Sequence, residues 1–361
     1  MVESRPLIAV EDDPFTRIIR VVLDPEAEPE RVAAFARFFA HDQPDFSGWC
    51  ERLRKRLGSL YPARVQLVIN ASELSAALTS AHAAVVEALN VTERELAGAP
   101  ALRVVQKFGT VCTNIDRRAC AARGIRVLTL RRRANMACAE HAFGLMLALA
   151  RKICDTNGLV SIGKLGAAGY APAIFDRRHT ANSNWACITG LRTLHGGTLG
   201  IVGMGEIGRE IALRAAPFGM NVLYTQRRRL DAVDEAHYGA RYTALDDLLA
   251  ESDYVSVNLP GNAATRGIIG RRQLERMKRG AILVNVARAD LVDRTALIDA
   301  LGSGRLGGFG TDLPYEEPGR DDDPLLRCRQ VIMTPHIAAQ PRFNALDDLE
   351  ELLLKLDEAC T

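Results

Sequence analysis

The stretch TLGIVGMGEIGREIALRAAPFGMNVLYTQRRR, Thr198 to Arg229, sets Gly203, Gly205 and Gly208 as G-x-G-x-x-G between an apolar run and a segment of helical periodicity. A second apolar run, Asn221 to Thr225, follows about twenty residues later. Strand, glycine turn, helix and strand in this order predict a dinucleotide-binding unit. Gly203 permits the tight turn, Gly205 lets the backbone approach a pyrophosphate, and Gly208 lets helix and strand pack closely. With Glu206 and Ile207, which open the helix, they make the expected cofactor turn, since a helix N-terminus presents free N–H groups to an anion.

The second strand ends at Gln226, followed by Arg227, Arg228 and Arg229. An NAD site usually has an acid here, accepting from the ribose 2′-hydroxyl. An acid would repel a 2′-phosphate, whereas a neutral amide followed by guanidinium groups would accept it. Gln226 and the run Arg227, Arg228 and Arg229 therefore predict a pocket for the 2′-phosphate and a preference for NADP(H), with NAD(H) as the alternative. The competing reading is three solvated arginines on a loop.

The chain has 361 residues, 48% apolar and 25% charged, with a net charge of +2. That length suits two domains in an ordinary soluble protein. The near-neutral balance gives no global electrostatic reason for nucleic acid or an anionic membrane. Eight cysteines include no CxxC pair and no zinc-like spacing, so no metal site is expected. Without a charged-then-apolar leader, a cytoplasmic location is expected. The longest apolar run, Ala142 to Ala150, is too short to span a bilayer and reads as a buried helix.

From Gly200 onward, GIVG, NVLYT, YVSVN, AILVNVA, GGFGTD and VIMTP alternate with helix-like segments such as RRQLERMKRG and RTALIDALGSG. This predicts an α/β unit, a doubly wound parallel sheet with helices on both faces, over 134–334. The first third carries PLIAVED, VQLVIN, AAVVEAL, LRVVQKFG and GIRVLTL, a second and smaller α/β unit over 1–133. The amphipathic helix FNALDDLEELLLKLDEA, within 335–361, is expected to complete it. Segment 155–197 has weak periodicity and stays unassigned, and 25–62 carries no motif.

Polar residues fall just after the later strands: Arg288 after AILVNVA, Asp312 and Glu317 after GGFGTD, His336 after VIMTP. In an open parallel sheet, ligands bind at these carboxyl ends. One arginine, one acid and one histidine are therefore expected to converge beside the nicotinamide, types that can hold an anion and carry a proton.

With NIDRRACAARGIRV, AEHAFGLMLALAR, TLGIVGMGEIG, NVARADLVDRTALIDAL, GTDLPYEEP and TPHIAA, the chain resembles the D-isomer-specific 2-hydroxyacid dehydrogenase family over about residues 100–340. The resemblance implies a Rossmann cofactor domain and a flavodoxin-like substrate domain. It puts the catalytic arginine on Arg288, the glutamate on Glu317 and the proton-donating histidine on His336, and has Asp312 hold the nicotinamide carboxamide. It also implies a homodimer paired through the helix bearing His141, which reads as a packing or interface residue, and puts Arg131, Arg132 and Arg133 where they could meet a second acidic group of the substrate. Departures are Ala289 after Arg288, Pro314, Gln340-Pro341, and the substrate loop at Glu87, Ala88 and Leu89. The expected partner is a small 2-oxo or 2-hydroxy acid, glyoxylate or hydroxypyruvate first. Oxidation of another small anion, phosphite-like, and a dinucleotide-sensing, corepressor-like role remain open.

Overall fold

The computed structural model describes residues 5–360, which divide into two compact units: residues up to 137 with 339 onward, and residues 138–338.

The first unit is built on β1 (Leu7–Glu11), β2 (Arg64–Val68), β3 (Ala83–Val86), β4 (Val104–Lys107) and β5 (Arg126–Leu128), all parallel, in the order β2-β1-β3-β4-β5. That is the flavodoxin-like order. Parallel strands must be covered on both faces. One cover is the region without a sequence motif, whose helices Pro29–Phe39 and Phe46–Arg56 deliver Phe39, Phe46 and Trp49 as a stack with centroids 5.5 and 5.8 Å apart. Leu346, Leu349, Leu352, Leu353 and Leu356 of the helix Phe343–Cys360 join the same core. Asp348 on that helix, 1% exposed, accepts from the backbone N–H of Arg133 at 2.9 Å and from its guanidinium at 3.0 Å.

The second unit holds β6 (Thr198–Val202), β7 (Asn221–Thr225), β8 (Ala240–Tyr242), β9 (Tyr254–Val257), β10 (Ala281–Asn285), β11 (Leu306–Thr311) and β12 (Val331–Met333). Their order is β12-β11-β10-β9-β6-β7-β8, every pairing parallel. Both expectations of an α/β class are met, and this sheet is the Rossmann arrangement. The strand order reverses between β6 and β9, the switch point where such sheets bind ligands. β9 and β10 are buried at every position, which explains their unbroken apolar runs. The helix Arg133–Ala150 carries the run Ala142 to Ala150, and Ala142, Phe143, Leu145 and Met146 are buried in the core of this unit. Segment 155–197 contains the end of a short helix, Ile153–Thr156, and the helix Ile162–Ala167, and is otherwise irregular. Among the described residues no helix is long and apolar enough to cross a membrane.

Asp348→Ala should leave Arg133 without its buried acceptor and lower stability by about 1–3 kcal/mol. Urea unfolding would check this, and an unchanged midpoint would contradict it.

Candidate active site

The turn after β6 has the form its sequence predicts. Gly203 has φ +101°, a backbone region that favours glycine, and a Cβ there would come within 2.7 Å of the Asn258 carbonyl oxygen after β9. At Gly208, on the first turns of the helix Glu206–Ala215, a Cβ would stand 2.2 Å from the Gly203 carbonyl oxygen. Gly205, the N-cap, is different: a Cβ there would meet nothing within 4 Å. Two glycines thus bring turn, helix and neighbouring strand together, while the third leaves open space above the helix N-terminus. A pyrophosphate fits that space and that end of the helix dipole.

Beyond β7 the three arginines separate. Arg229 makes a two-pronged ion pair with Glu235, at 2.8 Å on each arm. Glu235 also accepts from the Tyr224 hydroxyl at 2.7 Å. The Arg229 and Tyr224 bonds hold the Glu235 carboxyl down at about 2. Burial, then the Glu235 bond, pushes the Tyr224 phenol up to about 12. Gln226 donates to the Arg228 carbonyl at 2.6 Å. The guanidinium groups of Arg227 and Arg228 are exposed and have no acid or carbonyl partner among the described residues. Arg229 is therefore structural, and two cations remain free where β7 ends.

Arg288, Asp312, Glu317 and His336 follow the carboxyl ends of β10, β11 and β12. The buried amide of Asn285 fixes the turn before Arg288, donating to the Arg288 carbonyl at 2.8 Å and accepting from the Ala287 N–H at 3.1 Å. Gly261 makes room for the side chain, because a Cβ there would lie 2.7 Å from Arg288 Cγ. Among the described residues the exposed guanidinium bonds only the Ala287 carbonyl, at 2.6 Å, and pairs with no acid.

His336 and Glu317 meet directly: imidazole Nδ1 lies 3.0 Å from Oε1 and 3.2 Å from Oε2. His336 is held at φ +56°, which costs a non-glycine residue about 1–3 kcal/mol. Asp312, 1% exposed, holds the turn in that state. Its carboxylate accepts from the N–H of Ile337 at 2.9 Å, the N–H of Ala338 at 2.6 Å and the hydroxyl of Thr334 at 2.5 Å, and its carbonyl accepts from the His336 N–H at 2.8 Å. Asp312 thus has work in the turn besides the contact the resemblance implies. Asn285, Gly261 and Thr334 carry no chemical signature in sequence, and only the folded contacts single them out.

Within the first unit, the carboxylate of Glu11 at the end of β1 accepts the backbone N–H groups of Glu87, Ala88 and Leu89 at 2.7–3.0 Å. The three arginines after β5 also divide. Arg133 pairs with Asp348 and Glu351, each at 3.0 Å, and Arg132 lies 4.0 Å from the centroid of the Phe108 ring.

Comparison with known proteins agrees with this architecture. Residues 143–338 match the D-isomer specific 2-hydroxyacid dehydrogenase NAD binding domain. The chain belongs to the D-isomer specific 2-hydroxyacid dehydrogenase family. It is 38% identical to the glyoxylate reductase of Korarchaeum cryptofilum (strain OPF8) over 241 residues, 67% of this chain and 68% of that relative. It is 34% identical to glyoxylate/hydroxypyruvate reductase B of Yersinia pestis over 288 residues, 78% of this chain and 83% of that relative. The crystal structure of a glyoxylate reductase from Paecilomyes thermophila aligns with a TM-score of 0.54 at 26% identity, covering 99% of this chain and 96% of that one. This dehydrogenase is accordingly an NAD(P)-dependent oxidoreductase, and the glycine turn fits its nicotinamide dinucleotide.

Gly208→Ala should force the dehydrogenase's helix away from its turn. Overpacking of this kind costs about 1–3 kcal/mol. Cofactor affinity should fall about tenfold or more, as read by fluorescence titration of a folded variant; undiminished affinity would contradict the close approach.

Proposed function

We propose that the enzyme reduces a small 2-oxo acid of the glyoxylate or hydroxypyruvate type to the D-2-hydroxy acid, with NADPH the preferred reductant. The observation that carries this reading is the His336–Glu317 pair, a histidine whose Nδ1 is held by a carboxylate at the ligand-binding end of the sheet. With Nδ1–H given to Glu317, Nε2 is the nitrogen left to hold a proton for the substrate oxygen. Glu317 balances the charge of the imidazolium that donates it. Arg288, without an acidic partner among the described residues, binds the substrate carboxylate and stabilises negative charge growing on the adjacent oxygen. The nicotinamide, when bound, supplies hydride to C2. Gly203, Gly205, Glu206, Ile207 and Gly208 would hold its pyrophosphate end, and Asp312 its carboxamide.

Arg227 and Arg228 have no acidic partner among the described residues, which supports NADPH, since both are then available to a 2′-phosphate that Gln226 does not repel. A homodimer belongs to the same reading. It is supported by exposed apolar residues in the irregular segment, Val160 at 77% and Ile174 at 76%, which a second copy would cover.

Two expected outcomes test this. Wild-type enzyme should favour NADPH in kcat/KM, and replacing Arg227 and Arg228 together by alanine should remove about tenfold or more of that preference; equal use of both cofactors before and after would overturn the phosphate site. His336→Ala should lower kcat for glyoxylate or hydroxypyruvate by about 100-fold or more with NADPH affinity retained. An active variant would remove His336 from the chemistry, and no turnover by wild type with any 2-oxo acid would overturn the substrate class.

A further inference from the structure

His141 sits on the helix Arg133–Ala150, far in sequence from the proposed acid, yet its ring enters the turn that carries it. Nε2 lies 2.8 Å from the Thr334 hydroxyl oxygen and 3.6 Å from Asp312 Oδ1. A threonine hydroxyl has one proton. At 2.5 Å from Asp312 Oδ1, that proton is given to the carboxylate. Thr334 must therefore accept from His141, which sets the His141 proton on Nε2. The donors run in one direction, from His141 to Thr334 to Asp312, and the same carboxylate gathers the N–H groups of Ile337 and Ala338. The carbonyl of Asp312 takes the N–H of His336 itself.

The backbone of His336 is in a conformation it would leave if the turn were released, so each donor on Asp312 helps to hold the imidazole toward Glu317. We propose that His141 is a positioning residue for His336, acting through Thr334 and Asp312; this rests on the reductase reading above. His141 need not touch substrate or change its own charge. Its part is to complete the hydrogen bonding between the part-buried Thr334 hydroxyl and the buried Asp312 carboxylate and so keep the turn in one arrangement.

The test compares His141→Ala, His141→Gln, Thr334→Val and the double variant His141→Ala/Thr334→Val. Each is assayed for kcat and KM with hydroxypyruvate and NADPH, and by two-dimensional NMR of 15N-histidine-labelled protein with the His336 signals assigned. His141→Ala and Thr334→Val should each lower kcat about tenfold or more, with KM for NADPH within about twofold, and should move the His336 signals. His141→Gln should recover most of the loss, because its amide nitrogen can donate to Thr334. The double variant should be no worse than the poorer single one, since both break the same chain of bonds. A kcat for His141→Ala within about twofold of wild type, or independent losses in the double variant, would overturn the proposal. Should wild type reduce no 2-oxo acid, the reductase reading fails and the spectra decide alone: displaced His336 signals in His141→Ala sustain the positioning role, and unmoved signals end it.

Discussion

A carboxylate buried to 1% exposure must have its charge met by donors, and at Asp312 almost all of those donors come from one turn. The arrangement works in both directions. The turn satisfies the carboxylate, and the carboxylate obliges the turn to keep a conformation that a histidine would otherwise leave. Because β11 and β12 are parallel neighbours at the edge of the sheet, Asp312 and the turn after β12 emerge side by side. Parallel pairing therefore brings the acid within reach of residues more than twenty positions away. The orientation of His336 toward Glu317 is a consequence of that register.

The glycine turn follows a similar logic with volume in place of charge. Gly203 and Gly208 are needed because atoms from the residues just after β9 and from the turn occupy the space their side chains would take. Gly205 is different, since nothing lies within 4 Å of where its side chain would stand. One motif thus combines two packing constraints with one vacancy, which explains why glycine triplets without the flanking strands are poor predictors.

Most strands were legible in the sequence because buried parallel strands write themselves as apolar runs. β8, with only ARY, has too short a run to stand out and is positioned by pairing with β7. Arg288, Glu317 and His336 were legible because arginine, acid and histidine after successive strands are chemically conspicuous. Asn285, Gly261 and Thr334 were not, since an amide, a glycine and a hydroxyl acquire a role only through what they touch. The distinction among Arg227, Arg228 and Arg229 was equally hidden: it depends on Glu235, on the helix Ala232–Tyr238, turning back to the loop that precedes it. His141 read as packing because its partner lies across nearly two hundred residues.

The helix Phe343–Cys360 contributes five leucines to the core of the first unit, which begins with β1. A ribosome delivers that unit's five strands early and its closing helix last, after all of residues 138–338 have been made. Until then the apolar face around Phe39, Phe46 and Trp49 lacks one of its covers. The second unit, continuous in the chain, can complete its sheet while the first is still waiting. During synthesis the order of the sequence is therefore not the order of maturation, and the nascent first unit spends that interval with its core exposed to aggregation or to chaperones.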